Sequence, residues 1–301
     1  MRRHPVILGF LLLLCIAAVF IFLAYTIGAL SGKRQVFTLN DKVGVVTVQG
    51  VMTDAREIVS QLNDFAKDDS IRAVVLRIES PGGAVAPAEE IYGAVRELRK
   101  KKPVVSSMGS IAASGGYLVA CATNRIVANS GTITGSISAI IHYANAEVLL
   151  KKIGIQSSAI KSGKYKDMGS PARGLTPEEK VLLQSVVDDI YDYLLDVISR
   201  DRKIKVEELR KIADGRIFTG RQAQKLGLVD ELGDMEYALN LAGKLAGLKG
   251  RPEAVYPAKK KTSLWEMALQ NAASAVIAEW KDRGPGVMGL YFIWNPTTNS
   301  N

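Results

Sequence analysis

The N-terminal region carries an apolar run that restricts how this chain can fold. Residues 6–30, VILGFLLLLCIAAVFIFLAYTIGAL, contain no charged side chain. At about 1.5 Å per residue, a helix of this length spans a hydrocarbon core of about 30 Å with some tilt. A secretory signal peptide has a shorter apolar region and an A-x-A-like exit, and neither is present. We therefore predict an uncleaved single-pass transmembrane helix within residues 1–30.

The charged residues say little about the orientation of the predicted anchor in the membrane, but they do indicate which kinds of partner to expect. Arg2 and Arg3 precede the apolar run and Lys33 and Arg34 follow it, which only slightly favours a cytoplasmic N-terminus. The net charge is +9 over 301 residues, and no aromatic residues are interleaved with the basic clusters Arg99–Lys102 and Lys259–Lys261. This pattern favours a protein beside an anionic membrane and argues against a nucleic-acid partner.

The residues after the anchor alternate between strand-like and helix-like runs, which predicts an α/β domain. The predicted strands cover residues 43–48, 71–78, 104–106, 125–128 and 157–160. The predicted shorter helices cover residues 57–65, 88–98, 117–121, 148–152, 223–226 and 237–245. Residues 162–174 are predicted to be a loop and residues 215–220 a turn.

The longest predicted helix begins at Thr176-Pro177-Glu178-Glu179, where a capping residue precedes proline and glutamate. One face of this helix is predicted to be buried, and it consists of Leu182, Val186, Ile190, Leu194 and Ile198.

We divide the chain into an anchor (1–30), a linker (31–41), a peptidase-like domain (42–260) and a tail (261–301). The tail reads as an amphipathic helix followed by the apolar stretch VMGLYFIW. Ordinary packing is the simplest prediction for this stretch. It could also contact a neighbouring subunit, insert at the membrane surface or lie in the protein's own peptide groove.

Cysteine and histidine are too few to form most cofactor sites. The two cysteines, Cys15 and Cys121, fall in the anchor and in a predicted buried helix, so we expect no disulfide between them. No metal-spaced cluster exists, and we predict neither a metal nor another cofactor. Since His4 precedes the anchor, a catalytic base in the domain is His142 or a residue other than histidine.

Ser114 is the candidate nucleophile. It lies in Ala-Ala-Ser-Gly-Gly, within the stretch from Ser106 to Ser136, between a strand-like and a helix-like run. Small neighbours let a substrate approach the hydroxyl, and a helix N-terminus favours a developing negative charge. The same pattern also suits a plain strand-to-helix turn that the serine caps.

Three further segments could complete such a site. Ser80-Pro81-Gly82-Gly83 could present a backbone N–H to a cleft, although it also suits a simple turn. A lysine in Lys164-Tyr165-Lys166-Asp167 could act as a base only where burial lowers the usual lysine pKa of about 10.4. Gly135-Ser136 could orient that amine, or could be a turn.

Taken together, these segments resemble the bacterial signal peptide peptidases in their short, single-repeat form. Ser114 precedes Ser136 by 22 positions and Lys166 by 52, and both separations agree with that family's pattern. The later GRIFTGRQAQKLGLVDELG is similar to the family's C-terminal signature. The resemblance runs over residues 42–248, and the anchor fits it as well.

The resemblance implies a serine endopeptidase with a Ser–Lys dyad and a crotonase-like or Clp-protease-like stack of β-β-α units. Ser114 would be the nucleophile, Lys166 the general base and Ser136 the lysine-orienting residue. The N–H groups of Gly83 and Gly115 would form the oxyanion hole. The family degrades remnant signal peptides and other apolar peptides. It implies a homo-oligomeric ring with a dyad shared between subunits, and an extracytoplasmic domain anchored in the cell membrane.

Three alternatives remain open. One is a Clp-like Ser–His–Asp peptidase with His142 as base, although this leaves Lys166 unexplained. A stomatin-operon-type membrane peptidase would share the chemistry but usually has further membrane spans. A non-catalytic crotonase-like membrane scaffold would not need Ser114.

Overall fold

The computed structural model describes residues 42–257, strand residues 289–293 and the isolated positions 16, 18 and 19. The predicted linker lies outside these residues, as do the predicted amphipathic helix of the tail and all but three positions of the anchor. Within the described part of the chain, no helix combines the length and the apolar character needed to cross a bilayer. The predicted domain boundaries stay predictions.

The described residues form a mixed α/β domain. Its strands are β1 (Lys42–Gln49), β2 (Ile71–Ser80), β3 (Gly82–Ala84), β4 (Val104–Ala113), β5 (Arg125–Ala128), β6 (Ile133–Gly135), β7 (Ile140–His142), β8 (Ile217–Thr219), β9 (Glu231–Leu232), β10 (Glu253–Val255) and β11 (Gly289–Ile293). Its helices are α1 (Arg56–Lys67), α2 (Val85–Arg99), α3 (Gly115–Cys121), α4 (Glu147–Lys152), α5 (Pro177–Arg202), α6 (Val206–Arg210), α7 (Gly220–Lys225) and α8 (Met235–Leu245).

The main sheet is rich in parallel pairs. Its strands follow the order β10-β1-β2-β4-β5-β9, and each neighbouring pair along this path is parallel. The second half of β4 pairs in parallel with β6, which pairs in turn with the antiparallel β8. A small second sheet has the order β3-β11-β7 and is antiparallel.

Apolar cores cover both faces of the main sheet. Along β1, Val46 and Val48 belong to the larger core, which includes residues of α1, α2, α3 and α5. Val43 and Val45 belong to a smaller core that contains Ala238 of α8. Because successive strand side chains point to opposite faces, a strand buried on both sides reads as the continuous apolar run seen here.

The structure confirms most predicted elements, and β4 is longer than predicted. The strand was expected over residues 104–106 but continues to Ala113. Gly109 interrupts the apolar pattern because Glu79 and Arg77 of β2 occupy the space that a Cβ would need. The extra length carries the chain directly to Ser114.

Three local predictions were wrong. Residues 157–160 form no strand; they are exposed and pair with no neighbouring strand among the described residues. The predicted turn at 215–220 contains strand β8, which gains a partner only through the distant β6. On α5, Leu194 and Ile198 are buried as predicted, but Leu182 and Val186 are exposed because the first half of the helix extends past the core.

The N-terminus of α5 holds the preceding loop through one arginine. The predicted capping box is present, since Thr176 and Glu179 exchange backbone and side-chain hydrogen bonds. Arg173 donates to the Glu179 carboxylate at 2.5 and 2.8 Å and to the Asp167 carboxylate at 2.9 Å. This cluster fixes the position of Asp167, the neighbour of Lys166.

The C-terminus of α5 is held to the main sheet by a second ion pair. Arg202 donates to both Asp230 oxygens, at 2.8 and 3.1 Å, and Asp230 also accepts the backbone N–H of Ile126 at 2.7 Å. The side chains of Arg202 and Asp230 are only 10% and 18% exposed. Asp230, in the segment GLVDE (residues 227–231), therefore links the end of α5 to β5.

We expect Asp230→Ala to lower the free energy of unfolding by about 3 kcal/mol, since it leaves the buried Arg202 guanidinium without its carboxylate partner. The measurement is denaturant unfolding of the full chain. The exposed pair Arg210–Asp192, whose aspartate lies on the same helix as Arg202, provides the control, and Asp192→Ala should cost less than about 1 kcal/mol. Equal effects of the two variants would contradict the buried-pair account.

The Arg173 cluster predicts a loss of local stability in acid. The hydrogen bonds from Arg173, and then that from the Thr176 N–H, lower the pKa of Glu179 from 4.5 to about 2. A carboxylate with a lowered pKa contributes fully above its unfolded value, and its contribution is lost as pH falls through the folded value. Hydrogen-exchange protection of residues 161–174 should therefore fall between about pH 4.5 and pH 2.

Glu179→Gln should show that loss of protection already at pH 7. Asp188→Asn, at an exposed position of the same helix, is the matched control and should behave like wild type. Unchanged protection in Glu179→Gln would show that the Arg173 cluster does not hold the loop.

Candidate active site

Ser114 lies at the junction of β4 and α3 in a strained backbone conformation. Its φ is 56° and its ψ is −117°, a backbone conformation that residues other than glycine rarely adopt. Its N–H donates to the Gly135 carbonyl at 2.8 Å, and its own carbonyl accepts the Leu118 N–H at 2.9 Å. Such a sharp strand-to-helix turn lifts a nucleophile out of the sheet, at a cost of about 1–3 kcal/mol that the surrounding packing must offset.

Ser136 is brought beside Ser114 by strand register. Ala113 of β4 is the parallel partner of Gly135 of β6, so each serine immediately follows one of two paired residues. Ser136 also has a positive φ, 50°, and its N–H donates to the Arg216 carbonyl at 2.8 Å. Both serines are almost fully buried, at 2% and 6% exposure.

The Ser80–Gly83 turn is fixed by a buried serine hydroxyl. Ser80 Oγ donates to the Gly50 carbonyl at 2.6 Å and accepts the Gly82 N–H at 3.1 Å. Ser80 pairs with Ala112 of β4, and α3 packs against β3. The turn therefore lies at the same end of the sheet as Ser114.

Gly83 has a close backbone neighbour that excludes any side chain. A Cβ at this position would overlap the backbone of Met52. The Met52 N–H donates to the Gly82 carbonyl at 2.9 Å, and the Ala84 N–H donates to the Met52 carbonyl at 2.8 Å. Because polar groups alternate sides along a strand, the N–H of Gly83 faces away from Met52.

Gly115 supplies the second candidate donor. It is the first residue of α3, and the first N–H groups of a helix have no intrahelical acceptor. Its N–H directly follows the candidate nucleophile. The arrangement offers two backbone donors beside one serine, which is what stabilisation of an oxyanion requires.

Lys166 is not joined to Ser114 within one chain. Its N–H donates to the Gly163 carbonyl at 3.2 Å, and its side chain is exposed. Across the part of the chain that the structure describes, no hydrogen bond links Lys166 to Ser114 or Ser136. The nearby Lys164 forms an ion pair with Glu178.

The alternative base, His142, lies on β7 and is exposed. Its place in the fold is the edge of the small sheet, opposite β3. In the described residues no hydrogen bond joins it to Ser114 or to a carboxylate. One chain by itself thus brings the candidate nucleophile together with the candidate backbone donors and leaves both candidate bases exposed.

Other groups near the site are structural. Tyr117, of the ASGGY segment, is buried and donates to the Leu228 carbonyl at 2.9 Å. Burial raises the pKa of the Cys121 thiol to about 12, which keeps it protonated. Among the residues that the structure describes, no group of three or more His, Cys, Asp or Glu could hold a metal ion.

Sequence reasoning missed two positioning residues and one strand. Hydrogen bonds of Met52 and Ser80 hold the glycine turn and so set the direction of the Gly83 N–H. Of these two residues, only Ser80 is part of a sequence motif, Ser-Pro-Gly-Gly, that points to such a role. Strand β11, which lies beside β3, is formed by part of the apolar tail, where the sequence pattern predicts no strand.

Comparison with known proteins agrees with this arrangement. Residues 96–249, more than half of the chain, match the family described as peptidase family S49. A protein of Synechocystis sp. that is named as a protease is 44% identical over 208 residues, which cover 69% of this chain and 75% of that protein.

Two further relatives have more specific names. A protein of Enterococcus faecium named as signal peptide peptidase SppA is 34% identical over 215 residues, covering 67% of this chain and 62% of its own length. The chloroplastic serine protease SPPA of Arabidopsis thaliana is 30% identical over 251 residues, covering 81% of this chain and 36% of that protein. This chain thus spans less than two thirds of each of these two relatives.

With the greater part of its length matched and a protease relative at 44% identity, the chain belongs to peptidase family S49 and is a serine-type peptidase of the signal peptide peptidase family.

Proposed function

We propose that the protein is a membrane-anchored Ser–Lys dyad endopeptidase that degrades remnant signal peptides and other apolar peptides. The observation that carries the proposal is the strained backbone of Ser114, which lies between the Gly83 turn and Ser136. The parallel-rich main sheet with its small second sheet supports the crotonase-like or Clp-protease-like stack of units. Its chemistry is acyl transfer through a serine ester.

The proposed reaction has two halves. Ser114 Oγ attacks the scissile carbonyl carbon while the neutral amine of Lys166 takes its proton, and Ser136 orients that amine. The N–H groups of Gly83 and Gly115 stabilise the oxyanion. The C–N bond then breaks as the lysine returns the proton to the leaving amine. Water, deprotonated by the same lysine, then attacks the ester carbonyl. The bond between this carbon and Ser114 Oγ breaks, the lysine returns the proton to Oγ, and the second product leaves as a carboxylic acid.

The need for a second copy of the chain follows from the segment that contains Lys166. None of residues 140–178 is buried. The segment exposes large apolar side chains, namely Val148, Leu149, Ile153, Ile155 and Ile160. An exposed apolar surface of this kind is typical of an interface. We infer that a neighbouring subunit covers it and that Lys166 enters the neighbour's site, where burial would favour the neutral amine.

A cleft beside β7 offers apolar side chains that suit an apolar substrate, and it is lined by none of the candidate catalytic residues. A cavity of about 450 Å³ lies between β7 and the first half of α5, and its lining includes Ile140, Ile141 and Leu183. Pockets of this composition accept apolar side chains. The cores of signal peptides provide such side chains in an extended segment once they leave the bilayer.

The shared dyad predicts that two inactive variants complement each other. Ser114→Ala and Lys166→Ala should each lower kcat at least about 10³-fold on a fluorogenic apolar peptide. A mixed assembly formed from equal amounts should recover about a quarter of the wild-type activity, because that share of sites pairs an intact serine with an intact lysine. The assembly size of each sample is checked by light scattering.

Lys164→Ala provides the matched control, since it removes a lysine from the same loop and should leave activity close to wild type. His142→Ala should also remain active. Collapse of activity in His142→Ala together with an active Lys166→Ala would overturn the dyad in favour of the Ser–His–Asp alternative.

The proposed anchor predicts membrane association that depends on residues 1–30. The full chain should stay with membranes through a sodium carbonate wash, and a chain lacking residues 1–30 should be released. In intact spheroplasts, added protease should digest the domain if it lies on the extracytoplasmic side. Release of the full chain by carbonate would contradict the anchor, and protection in spheroplasts would contradict the orientation.

A further inference from the structure

Strand β4 contains a bulge before it reaches the candidate nucleophile. Ile78 of β2 stands opposite Met108 of β4. The next pair is Ser80 with Ala112, so the register shifts between the two pairs. Glu79 alone on β2 thus faces three residues of β4, and β4 carries two extra residues over this interval. A bulge of this kind bends a strand and redirects the residues that follow it.

The Glu79 side chain occupies the bulge. One of its carboxylate oxygens accepts the Ser110 N–H at 2.8 Å, and the other accepts from the Arg77 guanidinium. Arg77 also donates to Ser107 Oγ at 3.1 Å, which joins the pair to β4 before the bulge. The side chains of Arg77 and Glu79 are only 25% and 27% exposed. Charge-assisted hydrogen bonds in such a setting are stronger than those between neutral groups.

Gly109 leaves the room that this carboxylate needs. A Cβ at position 109 would overlap the carboxylate of Glu79 and the guanidinium of Arg77. The φ of Gly109 is not in the left-handed region, so these side chains, and not the backbone conformation, favour glycine here. The Gly109 carbonyl accepts from Thr132 Oγ1 at 2.6 Å. The bulge is therefore held by Glu79 on the side of β2 and by a threonine on the side of β6.

The bulge sets the position of Ser114 relative to the Ser80–Gly83 turn. If the pairing of β2 with β4 continued past Met108 without a bulge, Ser80 would stand opposite Ser110. Because a strand rises about 3.3 Å per residue, the two residues released would carry Ser114 about 7 Å farther along the sheet. The nucleophile would then no longer lie beside the backbone donors.

We propose that Glu79 is a positioning residue of the peptidase, whose carboxylate holds the β4 bulge and thereby places Ser114 beside the backbone donors. The inference rests on the proposed function, because it takes Ser114 as the nucleophile. Glu79 acts only through the backbone of β4 and takes no part in the proton transfers. Its effect on rate follows because a misplacement of about 1 Å in a catalytic site costs about 10²-fold.

The test compares Glu79→Ala with Glu79→Gln in the full chain, on an apolar fluorogenic peptide. Glu79→Ala removes the acceptor for the Ser110 N–H, and it should lower kcat about 10²-fold with KM within about twofold of wild type. Glu79→Gln keeps one side-chain oxygen for that N–H and should recover at least about tenfold of the lost rate. Denaturant unfolding establishes that each variant is folded under the assay conditions. A wild-type kcat in Glu79→Ala, or no recovery in Glu79→Gln, would overturn the inference.

Two further variants test whether the effect passes through the bulge. Ser107→Ala is the matched control, because it removes a partner of Arg77 without touching the bulge, and it should keep kcat within about twofold of wild type. Gly109→Ala displaces the carboxylate and should by itself lower kcat at least about tenfold. Added to Glu79→Ala, it should cost less than about twofold, since the carboxylate that it displaces is absent. Additive losses would overturn the inference.

Hydrogen exchange separates this inference from the proposed chemistry. The Ser114 N–H donates to the Gly135 carbonyl, so exchange of residues 111–114 reports on the end of β4 whether or not peptide is cleaved. Glu79→Ala should raise this exchange rate at least about tenfold, and Ser107→Ala should leave it unchanged. An active Ser114→Ala would contradict the proposed function, whereas unchanged exchange in Glu79→Ala would contradict the inference alone.

Discussion

The parallel pairing of β4 with β6 is the constraint on which the site depends. Strand β4 pairs with β5 along its first half and with β6 along its second, so its end extends beyond the β5 pairing. The register places Ala113 against Gly135, and each serine follows its strand with a positive φ. A slip of β6 by one residue would turn the side chain of Ser136 to the other face of the sheet relative to Ser114, because side chains alternate faces along a strand.

Backbone strain at the site is offset by packing close to it. The conformation of Ser114 is held by its bond to Gly135 and by α3, all of whose residues are buried. On the other side of the site, the Ser80 hydroxyl and the backbone of Met52 fix the glycine turn by hydrogen bonds to its backbone groups. The donors are therefore preorganised, which is the condition under which backbone N–H groups stabilise charge most effectively.

In contrast, the segment that contains Lys166 has no buried residue of its own and is held by Arg173 and the α5 cap. Within one chain, Ser114 and the candidate backbone donors lie together, whereas Lys166 is exposed; in the proposed mechanism a second copy of the chain would supply the lysine. Strand β11, from the tail, also lies beside the candidate site, because it pairs with β3, the strand that includes Gly83.

Local patterns in the sequence determined the strands of the main sheet, the capped start of α5 and the junction at Ser114, because periodicity, capping and turn preferences act over a few residues. They could not give the full length of β4, the pairing of β8, or the exposed half of α5, since each depends on a partner distant in sequence. The motifs named the candidate residues of the site. Only the tertiary structure decided that Ser114 and Ser136 are neighbours, that Lys166 is exposed within one chain, and that β11 lies against Gly83, because strand register is set by long-range pairing.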